Sequence, residues 1–363
     1  MIDERLKQIF LELIRIDGLS FNERNIFNYI NNFLLSNNYK PTEDESKVNS
    51  KSNTGNLICK IGNGGSFILT AHMDTARPTI NVNPQLKEDR ITSDGTTVLG
   101  VDNRAGIAIL LRLLEKINTE KISTKDFSVA FTTCEEITLG GSKNISLNGS
   151  TRMAFVFDSY LRPGKFINES YGAASFIVKI LGKAAHSGIE PGKGVNSLQL
   201  AAHAISGLKL GLFDDVTTLN IGKINGGSAL NVVPELTELE GEIRSTTTQN
   251  VENCFEIVKD TFTKSAKVFN GKVEFNFIWD FQPYFLDERT EVVSNISKAI
   301  SDVGLNPTPS ISRGGSDANS FNERGIPAVN IGIGAQNPHS NDEFILYEDF
   351  NNAFQIAFEL VKK

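Results

Sequence analysis

Ser66-Phe67-Ile68-Leu69-Thr70-Ala71-His72-Met73-Asp74-Thr75 is a short, mostly apolar run that ends in an imidazole and a carboxylate two residues apart. A run this brief reads as a strand covered on both faces, as in a parallel sheet. In open α/β sheets the groups just beyond the C-terminal strand ends gather into sites. Imidazole nitrogen is a good zinc donor, and a nearby carboxylate can accept the other ring N–H and fix the tautomer. His72 is therefore a candidate metal ligand and Asp74 its partner. On their own they read equally as a loop histidine with a capping aspartate.

The neighbouring segments keep the same rhythm. Asn56 to Ile61 is another strand-type run, and Gly62, Asn63, Gly64 and Gly65 make the turn between the two. Upstream, Leu6, Ile9, Phe10, Leu13 and Ile14 have the three-and-four spacing of one buried helix face. A second helix follows Asn22, with Ile26, Phe27, Ile30, Phe33 and Leu34 inward. Downstream come short polar strands and turns over 84–100, then a helix over 103–117. Strands follow through Phe127, Val129 and Phe131 and from Met153 to Phe157. Near the end, Val292 to Ile300 marks a helix, Ala328 to Ile333 a strand, and Phe350 to Phe358 a closing helix. Such an alternation predicts an α/β fold with a mixed, largely parallel sheet sandwiched by helices.

Between these parts the rhythm changes. A strand at 172–181, a helix at 195–208, strands at 217–223 and 238–244, a helix at 250–268 and a strand at 272–279 spell β-α-β-β-α-β. That order is complete in itself and reads as an inserted ferredoxin-like domain. The expected division is a discontinuous α/β domain, 1–168 and 284–363, interrupted by 169–283. A length of 363 residues fits two domains.

Five more candidates, counting the adjacent Glu135 and Glu136 separately, sit where predicted strands end. Asp102 precedes the helix at 103, where an aspartate ordinarily caps, but Gly100 and Gly106 suggest a tight turn there. A carboxylate has two oxygens, so Asp102 can bridge two cations. Glu135 and Glu136 end the Phe127 strand. Adjacent buried carboxylates are costly unless paired; a metal relieves Glu136, which leaves Glu135 to take a proton from water as general base. The alternative is an exposed helix start. Asp158 closes a wholly apolar strand, or caps a turn there. His339, in Asn337-Pro338-His339, is a ligand or a plain loop histidine. As a set, His72, Asp102 and Asp158 make one group of three, and Glu136, Asp102 and His339 another. Each leaves a position open, as catalytic zinc requires. Two zinc ions are expected, with manganese or cobalt as alternatives.

The bulk numbers narrow the field. A net charge of -7 disfavours nucleic acid or an anionic membrane as main partner. No apolar run reaches the roughly 18 residues of a bilayer span, and the acidic start MIDERLKQIF does not resemble a signal peptide. Cys59, Cys134 and Cys254 are few, scattered and odd in number, which fits free thiols in a reducing cytoplasm. Cys134, beside the acidic pair, is a further thiolate candidate.

Six motifs, AHMDT (71–75), GVDNRAG (100–106), CEE (134–136), FDS (157–159), KAAHSG (183–188) and NPHSNDE (337–343), occur in an order and spacing that resembles the dizinc exopeptidases, specifically the peptidase T-like aminopeptidases. The resemblance runs over almost the whole chain. It implies a zinc exopeptidase-like fold whose insertion is a lid and dimerisation domain, and so a homodimer. It implies that His186 helps hold the substrate carbonyl or oxyanion. Asn231 and Arg244 match lid positions tied to substrate or lid structure, and Arg313, in SRGGSD (312–317), matches a glycine-rich motif of the catalytic domain near the substrate. An arginine there can clamp a peptide carboxylate with two prongs. His203, on the apolar lid helix, matches nothing functional. Asp158 in place of a glutamate implies an aminopeptidase or dipeptidase acting on short peptides. Two departures stand out: Asn103 follows the bridge where an acid is frequent, and the chain is short between His72 and Asp102, which leaves the tripeptide preference open. The alternatives are an amidase or deacylase of N-acyl amino acids, a dipeptidase, a non-catalytic binding protein of the same fold, and the related aminopeptidases that form closed shells.

Overall fold

A computed structural model of the chain describes residues 2–147 and 149–363. The chain runs through α1 (Glu4–Leu13), α2 (Arg24–Ser36), β1 (Leu57–Ile61), β2 (Phe67–His72), α3 (Val101–Glu120), β3 (Phe127–Thr132), β4 (Met153–Ser159) and β5 (Lys165–Ser170). It continues through β6 (Gly172–Leu181), α4 (Ser197–Ser206), β7 (Thr218–Gly226), β8 (Leu236–Ser245), α5 (Thr248–Phe269) and β9 (Lys272–Phe281). Then come α6 (Glu291–Asp302), α7 (Asp317–Glu323), β10 (Ala328–Gly332) and α8 (Tyr347–Val361). Two compact units result: Met1–Glu169, Phe285–Ser312 and Ser316–Lys363 form the first, Ser170–Tyr284 and Arg313–Gly315 the second.

The first unit is built on a mixed sheet. Its path is Thr42–Glu43, β1, β3, β2, β4, β10, β5 and Tyr284–Phe285, with Thr308–Ser312 beside β5. The pairs β3–β2, β2–β4 and β4–β10 are parallel, while β1–β3 and β10–β5 are antiparallel. Every residue of β2 and β3 is buried. This is the pattern of central strands covered on both sides; β3, expected to alternate through Phe127, Val129 and Phe131, buries Ser128 and Ala130 as well. Against them lies α3, whose Ile107, Leu110, Leu111, Leu114 and Ile117 are buried, with α1 and α8 packed on it. Each such leucine or isoleucine contributes about 1.5–3 kcal/mol by leaving water. Asp3 caps α1 by accepting the Leu6 N–H at 2.8 Å. Phe33, expected inward on α2, is only half-buried, and the Arg5 guanidinium lies over its ring at 5.8 Å. A small antiparallel sheet of Gln85–Leu86, Arg90–Thr92 and Phe344–Leu346 stands apart from the main one.

The second unit has the β-α-β-β-α-β order. Its sheet runs Gly211–Leu212, β7, β8, β6, β9, all antiparallel. Here the strands alternate. Val273, Phe275, Phe277 and Trp279 of β9 pack on the core, and Lys272, Glu274 and Asn276 between them are exposed. The core joins Phe176, Val178 and Ile180 to Leu200 of α4 and to Val258 and Phe262 of α5. In the first unit, the segments that lead to and from this insertion are paired. The Leu286 N–H donates to the Asn168 carbonyl at 2.8 Å, and Asn168 Nδ2 donates to the Leu286 carbonyl at 2.9 Å. Among the described residues no helix is long and apolar enough to cross a membrane.

Candidate metal centre

Because β2, β3 and β4 are parallel neighbours, their C-terminal ends emerge side by side. His72 is the last residue of β2, Asp158 lies at the end of β4, and Glu135 and Glu136 follow β3. His72 Nε2 lies 3.2 Å from Asp158 Oδ1 and 2.9 Å from Asp102 Oδ1. His339 Nε2 lies 3.3 Å from Asp102 Oδ2 and 3.1 Å from Glu136 Oε2. The two oxygens of Asp102 thus face two different imidazoles. Within each group of three, His72–Asp102–Asp158 and Asp102–Glu136–His339, one donor atom per residue falls within 4.8 Å of the others.

Two of the five reach this place otherwise than expected. Asp102 does not end a strand. It sits in the first turn of α3, where Asp102 and Asn103 have non-helical backbone angles and the peptide between them is cis. Gly100 enters that turn at φ 78°, in the left-handed region glycine tolerates best. Gly106 lets the helix press against β4: a Cβ there would fall 2.2 Å from the Phe157 carbonyl oxygen and 2.3 Å from Asn103 Oδ1. Asn103 is buried and uses its side chain on backbone, donating to Phe157 O at 2.9 Å and accepting from Gly106 N at 3.0 Å. His339 lies seven residues beyond β10, at φ 63°, in a turn closed by paired Gln336 and Phe344. Its side chain is 50% exposed, against 2% for His72.

A layer of buried polar groups supports the donors. Asp74 accepts the Glu135 N–H at 3.0 Å, the Glu136 N–H at 3.2 Å and the Ser20 hydroxyl at 2.6 Å. His72 Nδ1 is closer to the Asp74 carbonyl, 3.1 Å, than to its carboxylate, 3.4 Å, so backbone and side chain share the tautomer control expected of the carboxylate alone. Glu23 accepts the Cys134 N–H at 2.9 Å and Cys134 Sγ at 3.3 Å. Burial and the Glu23 carboxylate push that thiol well up, and with its Sγ turned to Glu23 Cys134 belongs to neither group of three. It holds φ 53°, which turns the chain so that Glu135 and Glu136 follow. Arg104, fully buried, donates to the carbonyls of Met73 and Ile16. Asn330 donates to Asp158 Oδ2 at 3.3 Å.

The electrostatics suit cations. In the metal-free protein, burial and the neighbouring Asp102 carboxylate raise Asp158 and Glu136. Burial pushes Glu135 well up, with His72 opposing and Asp158, Glu136 and Asp317 reinforcing. Burial works against the His72 cation, yet Asp158, Asp102 and Asp74 outweigh it and raise His72 well above the usual imidazole range. His339 is pushed up to about 10 by Asp102 and Glu136. Protons here stand in for positive charge that the carboxylates demand. Three carboxylates and two imidazoles in this arrangement fit a pair of divalent cations.

The sequence candidates of the second unit are mostly on its surface. His186 is exposed, and its Nδ1 accepts from the Gly188 and Ile189 N–H groups, both at 3.2 Å. The Asn231 carbonyl accepts the Ser187 N–H at 2.9 Å, so those two loops adjoin. Arg313, expected in the α/β domain, groups instead with the second unit; it is exposed, with its guanidinium over the Tyr171 ring. Arg244 is committed to Glu242 by two 2.8 Å bonds and to the Arg313 carbonyl at 2.9 Å. His203 shares a 2.9 Å hydrogen bond with Ser265 and packs edge-on to Phe269, a structural placement. Sequence reading missed Glu23, Arg104, Asn330 and Glu343. Each is a polar residue whose burial only the folded chain reveals.

Comparison with known proteins places this arrangement. Residues 168–270 match the peptidase dimerisation domain of M20 type, and residues 85–174 match the M42 glutamyl aminopeptidase family. A crystal structure of a tripeptidase from Staphylococcus aureus superposes with a TM-score of 0.92 at 32% identity, over 100% of this chain and 98% of that one. Aminopeptidase PepT from Bacillus cereus gives 0.90 at 28% identity, over 99% and 98%. Peptidase T of Bacillus subtilis is 31% identical over 75% of this chain and 67% of its own.

Proposed function

This chain belongs to the peptidase T-like aminopeptidases, and from that premise we propose that it removes the N-terminal residue from tripeptides and similar short peptides. The observation that carries the reading is Asp102, whose two oxygens face His72 and His339 at 2.9 and 3.3 Å. Such a carboxylate is what a two-cation hydrolytic site needs at its centre.

We assign His72, Asp102 and Asp158 to one ion and Glu136, Asp102 and His339 to the other, with zinc as the metal and manganese or cobalt as alternatives. Bound there, the ions would polarise the scissile carbonyl and acidify the attacking water. Glu135 is the general base: half-buried, and close enough for the charges of His72, Asp158 and Glu136 to act on its carboxylate, it takes the proton of the water that adds to the carbonyl carbon. As the C–N bond breaks it returns that proton to the leaving amine. Asp74 fixes the His72 ring and, through the amides of Glu135 and Glu136, the base itself. His186, with Nδ1 accepting, carries its proton on Nε2, which suits it to donate to a substrate oxygen. Arg313 and Asn231 are assigned to substrate. The contacts of Arg244 favour a part in holding the Arg313 segment. The dimerisation-domain match supports a homodimer formed through the inserted unit, and we place the enzyme in the cytoplasm.

The test is direct. Dialysis against a chelator should abolish hydrolysis of a tripeptide panel, and zinc should restore it. Faster turnover of N-acetyl amino acids or dipeptides than of tripeptides would move the assignment to the deacylases or dipeptidases.

A further inference from the structure

Glu343 is buried, with 1% of its surface exposed, and the mechanism above gives it no task. Its carboxylate collects three backbone N–H groups: Leu99 at 2.9 Å and Gly100 at 2.6 Å on Oε2, and Asp102 at 3.0 Å on Oε1. These amides lie in and just before the non-helical turn that leads into α3, where Asn103 caps the helix proper by accepting the Gly106 N–H at 3.0 Å. Helix starts leave N–H groups unsatisfied, and the residue at that place ordinarily turns its own side chain back to cap them. Asp102 is so placed in the sequence, yet its oxygens face two imidazoles instead. Glu343 takes up the turn's remaining amides from 241 residues away, so neither oxygen of Asp102 is drawn to them.

Glu343 is itself held. It is four residues after His339. Phe344 and Gln336 exchange backbone hydrogen bonds of 3.1 and 3.0 Å, the Ser93 N–H donates to the Glu343 carbonyl at 3.1 Å, and Phe344–Leu346 pairs with Arg90–Thr92. One segment therefore delivers a donor of the second group and fixes the carboxylate that both groups share.

We propose that Glu343 is a positioning residue which, by holding the backbone of the kinked turn into α3 from outside, sets Asp102 between the two metal sites. The proposal rests on Asp102 being a shared ligand.

The test uses full-length Glu343→Gln and Glu343→Asp beside the unaltered protein and Asp102→Asn. Glutamine turns an amide donor toward backbone donors; aspartate keeps the charge but falls a methylene short. Metal-free protein is titrated with cobalt(II), followed by its visible spectrum, and zinc content is measured after equilibration. The expected result for Glu343→Gln is a rise of about 10–100-fold in the dissociation constants of both ions, a changed cobalt spectrum, and a fall in kcat with KM little altered. Glu343→Asp should lie between it and the unaltered protein. The proposal is overturned if a folded Glu343→Gln binds both ions within twofold of the unaltered protein. It is equally overturned if neither variant folds without metal, since Glu343 is then a folding residue. If the unaltered protein holds fewer than two ions, or Asp102→Asn still holds two, the shared-ligand reading itself fails and takes this one with it.

Discussion

In the catalytic unit Glu23, Asp74 and Glu343 are buried, and each is tied to backbone amides beneath a residue of the site. In the inserted unit no aspartate, glutamate, lysine, arginine or histidine is buried among the described residues. Its charges pair on the surface instead, as in Lys179–Glu238, Lys223–Glu240 and Lys264–Asp260. Burying a carboxylate costs several kcal/mol unless hydrogen bonds compensate. The catalytic unit accepts that cost where donor positions must not drift. The inserted unit leaves its candidates, His186, Asn231 and Arg313, in solvent, where side chains can adapt to a peptide.

The largest effect that could break this contrast concerns Glu135. Glu135→Gln should lower kcat by about 10²–10⁴-fold, with zinc content measured by elemental analysis unchanged. Substantial residual turnover would remove the base from the mechanism. An intermediate effect compares two glycines. At Gly106 an added Cβ meets the Phe157 carbonyl oxygen at 2.2 Å, whereas at Gly192, in the inserted unit, it meets nothing within 4 Å. Gly106→Ala should destabilise the metal-free protein by about 1–3 kcal/mol, while Gly192→Ala should stay within about 0.5 kcal/mol. Equal melting of the two variants would show that the α3–β4 approach is not the tight contact described.

The smallest effect sets a surface carboxylate of the catalytic unit against its buried ones. The Arg24 guanidinium, aided by the Gly55 N–H, holds Glu43 down at about 2 from a usual 4.5. A depressed carboxylate stabilises the fold fully above its unfolded value, and that stabilisation is lost as pH falls through the folded one. The gain over Glu43→Gln should therefore be constant above about pH 5 and vanish between pH 4.5 and pH 2. Solvent screening keeps it below about 1 kcal/mol. Denaturant melts at stepped pH would reveal it, and a gap that persists at pH 2 would exclude the pair as its source.

The fold was legible because its strands and helices carry their periodicities locally. Phe67–Thr70 and Met153–Phe157 are continuous apolar runs, and Val273, Phe275, Phe277 and Trp279 alternate, so the two sheets announce their different burial. The donors His72, Glu136 and Asp158 could be picked out because strand ends are local features. The routes taken by Asp102 and His339 could not, since they depend on a kinked first turn and on the Gln336–Phe344 pairing. Glu343, Glu23 and Arg104 were invisible for a related reason. In a sequence a buried polar residue looks like any surface one, and its partners lie dozens to hundreds of positions away.

The reciprocal bonds between Asn168 and Leu286 bear on how this chain came to have its present length. The ends on either side of the interruption are fastened to each other by the first unit's own sheet. The chain leaves the first unit and returns to it at neighbouring places, beside the paired strands Lys165–Ser170 and Tyr284–Phe285. Loop closure adds only about 0.6 kcal/mol per doubling of length, so with its two ends pinned side by side the insertion adds little closure entropy to the folding of the host sheet. The interrupted polypeptide behaves, topologically, as an uninterrupted one.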